Sequence, residues 1–226
     1  MTEKFYYGGQ AVIEGVMMRG QKATVTAVRR PGGEIGTRVK SLSSLYTGRM
    51  RRIPLLRGIV VLLEAIVLGI GSLMYSANAA LEEEEEQISG GFIWIIVFIS
   101  FAFAIGIFFI APLFLTQAFG SHISSSLVFH IIEGLVRLAF FVIYLKLISL
   151  LPDIKRVFAY HGAEHATINA YEAGIPLEAK AVKSHSTSHT RCSTSFLLTV
   201  LVLAIIVFAL VGRQETLVMV ASRILL

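Results

Sequence analysis

The apolar residues of this chain fall in unbroken blocks, not at the period-2 or period-3.6 spacing of a soluble core. Residues 91–118, 127–151 and 195–212 each form a run long enough for a helix to cross a hydrocarbon layer of about 30 Å. Pro112 lies near one end of the first run and predicts a kink. A fourth block, 53–81, has the length to span but carries Arg57, Glu64 and Asn78. It runs into five consecutive acids, Glu82–Glu86, which read as a solvated loop or helix end. The final stretch, Leu217–Leu226, starts another apolar helix that could reach only about 15 Å. The chain is therefore expected to stop inside an element of a longer protein.

The first 52 residues break the pattern. Ala23–Arg30 alternates β-branched residues with others, Pro31-Gly32-Gly33 signals a turn, and Ile35–Leu42 resumes an extended pattern, which predicts a β-hairpin. Upstream, Gly8–Gly20 mixes glycines with a short apolar stretch around Glu14. It matches neither a phosphate-cradling loop nor a dinucleotide fingerprint, and its glycines read as tight turns in a small sheet. The expected fold is mainly α: a polytopic helical membrane protein with a small N-terminal region containing a β-hairpin. The expected organisation has five parts. A basic region, 1–52, precedes an interfacial or re-entrant helix with its acidic run, 53–87. Two transmembrane helices, 91–151, lead to a polar helix and loop, 153–192. A transmembrane helix and an incomplete further helix, 195–226, close the chain.

Composition agrees with the membrane reading. Hydrophobic residues make up 55% of the chain, mean hydropathy is +0.73, and charged residues are 15%, against roughly 25% in ordinary soluble proteins. The net charge is +5. It is concentrated in residues 1–57, with eleven Lys/Arg against three acids. That is the positive-inside bias of a membrane protein; without interleaved stacking aromatics or a known motif, nucleic acid is not an expected partner. Met1–Gln10 is polar, so no cleavable signal is expected and an internal span must act as the insertion signal. Cys192 is the single cysteine, which excludes an intrachain disulfide and fits a reducing compartment. Parity then sets the topology. The basic N-terminal region and segment 153–192, which carries Lys155, Arg156, Lys180, Lys183 and Arg191, belong on the cytoplasmic side. The two spans in 91–151 return the chain to that side only if 53–81 does not cross.

The strongest chemical signal is Tyr160-His161-Gly162-Ala163-Glu164-His165, which contains H-x-x-E-H. On a helix, His161 and His165 at i and i+4 project from one face and can grip one cation. Glu164 beside them can take a proton from water. Glu172, almost three turns after His161, is a candidate third ligand or a partner that fixes a histidine tautomer. Gly174 and Pro176 stop the helix. Downstream, His185, His189 and Cys192 lie in a loop that can fold back, and together these side chains supply the N, S and O donors of zinc or another divalent transition metal. Three readings compete: solvated histidines, a structural metal site, and a catalytic one, which Glu164 favours. A second pair, Glu133 and Arg137, sits i,i+4 in the 127–151 span. It could fix helix packing, snorkel to the interface, or line a polar cavity leading to the metal. Lys146, Asp153 and Arg156 read as interface anchors, and His122 and His130 as ordinary loop and interface residues.

The segments GGQAVIEGVMMRG, IEGLVRL, DIKRVFAYHGAEH and HTRCSTSFLL, in this order along nearly the whole chain, resemble the YqhQ-like family of bacterial multi-pass membrane proteins. Its function is unknown, and metal-dependent enzymatic activity is inferred for it. The resemblance implies a place in family motifs for His161, Glu164, His165, His189 and Cys192, and for Glu14, Glu133 and Arg137. It also implies the bacterial cytoplasmic membrane. Thr190 and Ser193 stand where such a family commonly has a proline and a glycine, which would loosen the turn before the 195–212 span. Members are usually longer.

The function expected first is a zinc-dependent hydrolase, a peptidase among the options, with its site at the cytoplasmic membrane face and an unassigned substrate. The rivals are a non-enzymatic membrane scaffold with a structural metal, and a transporter drawing on Glu133 and Arg137. The transporter reading is weakened by few spans and no visible repeat, although a homo-oligomer would supply more spans.

Overall fold

A computed structural model describes residues 7–44, 48, 53–81, 90–120, 123–212 and 214–225; the acidic run 82–86 and His122 lie outside them. The strands are β1 (Gly8–Val12), β2 (Gly15–Arg19), β3 (Ala23–Arg29) and β4 (Ile35–Ser41). The helices are α1 (Pro54–Ala79), α2 (Gly90–Ile105), α3 (Ala111–Ala118), α4 (Ser126–Ile148), α5 (Pro152–Glu172), α6 (Ala179–Val182), α7 (Ser193–Val211) and α8 (Thr216–Leu225). The architecture is mainly helical with one small antiparallel sheet, as the hydropathy pattern predicts. Two compact units form: Met1–Ser89 with Leu151–His189, and Gly90–Leu150 with Thr190–Leu226.

In the first unit the sheet is an antiparallel meander in the order β1-β2-β3-β4. The hairpin read from the sequence is β3–β4, in register from Arg29↔Ile35 to Ala23↔Ser41. The glycine-rich segment upstream forms a second hairpin, β1–β2, closed at Val12↔Gly15 by the two residues Ile13 and Glu14. Glu14 adopts φ 53, a left-handed conformation uncommon for a side chain of its size.

Helix α1 begins with proline, whose missing N–H costs nothing in a first turn. It buries every fourth residue: Val60, Glu64, Leu68, Ser72 and Ser76. The polar members of this stripe bond to the sheet. Arg19 donates to Glu64 Oε1 from Nε (2.9 Å) and Nη2 (2.8 Å). Thr26 Oγ1 donates to Ser72 Oγ at 3.3 Å, and the Ile13 amide donates to Ser76 Oγ at 3.2 Å. Val12, Met17 and Val28 form the apolar core, with Tyr75 and Ala79 against it. The acid that made 53–81 ambiguous is thus neutralised by a strand residue, while Ile59, Leu62, Leu63 and Ile66 stay exposed on the outer face. Helix α5 rests on β1 and β2, and Gly174, two residues past its last, has φ +73.

Among the described residues, three helical stretches are long and apolar enough to cross a membrane: Leu56–Ala79, Trp94–Ala118 and Ser193–Val211. Ser126–Ile148 meets that requirement only jointly with Pro152–Glu172, across a break. In the second unit, α2 continues into one π-helical turn, Gly106–Ile110, and then α3. A kink is expected near Pro112; what the structure has there is this π-helical turn, within a stretch that runs as one span from Trp94 to Ala118. Pro112 has no N–H to offer the carbonyl four residues earlier, that of Phe108, and this carbonyl accepts from Arg137 Nε at 2.9 Å instead. Helices α4 and α7 approach closely at Gly134, where a Cβ would overlap Ile205, so a small residue is required there. Leu113, Phe129 and Met219 form the apolar core of this unit.

Candidate metal centre

Two faces of α5 do different work. Arg156, Tyr160 and Glu164, spaced by four, point at the sheet. Arg156 pairs with Glu14 in the β1–β2 turn, and Tyr160 Oη donates to the same carboxylate at 3.4 Å. Arg156 is therefore tied to a strand turn and does not serve merely as an interface anchor. Glu164 is buried against β1, where Gly9 leaves the space it occupies. A Cβ on Gly9 would lie 2.5 Å from Glu164 Oε1 and 2.6 Å from its Cγ.

His165, Asn169 and Glu172 hold the loop that folds back on the helix. His165 Nδ1 donates to the Thr187 carbonyl at 2.9 Å. Asn169 Nδ2 donates to the carbonyls of Ser186 (2.8 Å) and Ser188 (3.0 Å). Glu172 Oε2 lies 3.4 Å from His189 Nε2. Fixing the proton of His165 on Nδ1 leaves the Nε2 lone pair free for another partner.

The centre itself is compact. Glu164 Oε2 lies 3.6 Å from His161 Nδ1 and 3.6 Å from His165 Nε2. The rings of His161 and His165 are 4.2 Å apart, and those of His165 and His189 are 6.0 Å apart. Burial raises the affinity of Glu164 for a proton above that of an ordinary carboxylate, against the opposing pull of His165 and His189. Burial, and then His165, lower that of His161, which favours the neutral imidazole. The structure thus brings His161, Glu164, His165 and His189 together, with Glu172 on His189. His185 turns to its own helical turn, its Nδ1 donating to the Ala181 carbonyl at 3.1 Å. Cys192 is the N-cap of α7 and belongs to the second unit.

Gly9 and Asn169 escaped sequence reasoning. Their roles depend on contacts to residues far away in the chain; the glycine cluster around Glu14 was the one available hint. Replacing Gly9 with alanine forces the buried Glu164 side chain to move and is expected to destabilise the first unit by about 1–3 kcal/mol; thermal unfolding followed by circular dichroism measures this.

The second unit holds a separate polar cluster. Glu133 accepts at Oε1 from Arg137 Nη2 (2.8 Å) and Arg223 Nε (2.9 Å), and at Oε2 from Arg223 Nη2 (2.8 Å). His130 Nδ1 lies 3.2 Å from Glu133 Oε2. Phe208 stacks under the guanidinium of Arg223 at 3.8 Å. His130 is 1% exposed, so its reading as an ordinary interface residue is corrected: it is a buried neighbour of Glu133, one turn before it. Arg223, in the stretch read only as an apolar beginning, is the partner that the sequence concealed.

Known proteins agree with the family pattern. Residues 53–226 match the family model described as "Protein of unknown function (DUF1385)". The chain is 35% identical to the "Uncharacterized protein YqhQ" of Bacillus subtilis (strain 168) over 234 residues, covering 97% of this chain and 74% of that protein. No solved structure matches. The chain belongs to the DUF1385 family, whose function is unknown.

Proposed function

We propose that this chain is a membrane-bound, metal-dependent hydrolase whose ion, zinc by the character of its donors, is held by His161, His165 and His189. The observation that carries the reading is the position of Glu164 Oε2 at 3.6 Å from a ring nitrogen of both His161 and His165. That separation is too long for a good hydrogen bond. It leaves the carboxylate beside both imidazoles without committing it to either, where it can reach a water on an ion that they share. His165 is oriented through Nδ1 by the Thr187 carbonyl, and His189 through Nε2 by Glu172. This is the supporting arrangement that metal-ligating imidazoles use. When bound, the ion supplies Lewis acidity to a scissile carbonyl or phosphoryl group and acidifies water. Glu164 takes the proton of the attacking water and returns it to the leaving group. A purely structural site has no use for such a buried base.

The first unit supports a cytoplasmic-face placement. The sheet and α5 belong to one compact body, so both lie on one side of the bilayer. Eleven Lys/Arg against three acids in residues 1–57 make that side cytoplasmic. The sheet flanks α1 from Glu64 to Ala79, about 22 Å of helix. Strands with open edges cannot accompany a helix into hydrocarbon. Helix α1 therefore lies in the interface with its outer apolar face toward lipid.

Elemental analysis of the full chain, purified in detergent, is the test. Stoichiometric zinc, lost in the His161→Ala/His165→Ala variant, is the expected result. No metal in either protein after reconstitution with zinc would overturn the proposal.

A further inference from the structure

The register of β3 with β4 puts Thr24 opposite Lys40 and Thr26 opposite Arg38, so all four side chains leave the same sheet face. Helix α1 covers the two threonines, which are 4% exposed, but rests on β1 and β3. Beside β4 that face remains open as a groove of about 980 Å³. One wall carries Arg30, Arg38 and Lys40, with Glu34 as the only acid lining it, among the described residues. The other wall is the flank of α1, with Val67, Leu68 and Met74. The guanidinium of Arg38 lies 5.4 Å over the ring of Tyr75, which holds it at the junction of the two walls. Among the described residues none of the three cations forms an ion pair.

We propose that this groove binds an anionic phospholipid, its phosphate on Arg30, Arg38 and Lys40 and an acyl chain along α1. A cationic wall facing an apolar one selects an amphiphilic anion. A free phosphate would leave the apolar wall in water. Val67 belongs both to the groove and to the exposed outer face of α1 that continues through Ile59, Leu62, Leu63 and Ile66. A lipid seated there thus remains continuous with the bilayer surface. The proposal rests on the interfacial placement of α1 and not on the metal centre, so zinc content and lipid retention can fail separately.

The test is native mass spectrometry of the full chain in detergent containing equal amounts of phosphatidylglycerol and phosphatidylcholine with the same acyl chains. The wild type is expected to retain phosphatidylglycerol selectively. Arg38→Gln/Lys40→Gln, both exposed and outside the core, should lower that selectivity about 30-fold, because each basic side chain near an anionic surface is worth roughly fivefold. The control Lys180→Gln/Lys183→Gln removes the same charge elsewhere and should leave selectivity intact. Equal retention of both lipids, an unchanged groove variant, or an equal loss in the control would overturn the proposal. Displacement by inorganic phosphate alone would assign the groove to a free anion and overturn it too.

Discussion

Glu133→Ala is expected to destabilise the second unit by about 3–5 kcal/mol, the cost of breaking a buried ion pair from one side. Glu133 is the shared acceptor of Arg137 and Arg223, and all three are nearly fully buried. Without the carboxylate, two guanidiniums face each other across an apolar helix interface, left with the Phe108 carbonyl, the Ser222 hydroxyl, His130 Nδ1 and the rings of Phe109 and Phe208. Arg223→Ala should cost less, because Arg137 still neutralises Glu133. The double variant Glu133→Ala/Arg223→Ala should recover part of the loss, since the two residues act as one unit. Trp94 is the only tryptophan of the chain and lies in α2, so its fluorescence during thermal unfolding in detergent reports on this unit. A Glu133→Ala protein as stable as the wild type would show that the cluster does not hold α8 to its neighbours.

The second large effect concerns Glu164. Glu164→Gln should leave zinc bound by the histidines yet lower hydrolysis about 10²–10⁴-fold, the range for loss of a general base. The His161→Ala/His165→Ala variant should lose both metal and turnover. The comparison uses zinc-loaded protein against a panel of chromogenic peptide, ester and phosphoester substrates. If Glu164→Gln hydrolyses a substrate as fast as the wild type does, Glu164 is not the base. Equal losses of zinc in the two variants would make it a ligand instead.

Much of the molecule is legible in one dimension. The β3–β4 hairpin is written in the alternation around Pro31-Gly32-Gly33, and the long apolar runs mark Trp94–Ala118 and Ser193–Val211. The helix carrying His161, Glu164 and His165 is readable from its i,i+4 spacing and its stop at Gly174. All of these are local: the information sits within a turn or a hairpin. Block 53–81 was harder, because hydropathy cannot tell a lipid-facing flank from one that covers a sheet. Glu64 reads as a charge in a membrane segment, and its neutralising partner Arg19 lies forty-five residues away.

Local pattern alone specifies the apolar spans, the β3–β4 hairpin and the residue types of the centre, since backbone period and donor chemistry are properties of neighbouring residues. Which distant groups meet is a matter of packing. It set Gly9 beneath Glu164, the Thr187 carbonyl on His165, and Arg223 on Glu133, ninety residues earlier. The physical reason is that a buried polar group must find a partner wherever packing brings one within reach. That reach is fixed by how helices and strands fit together in space.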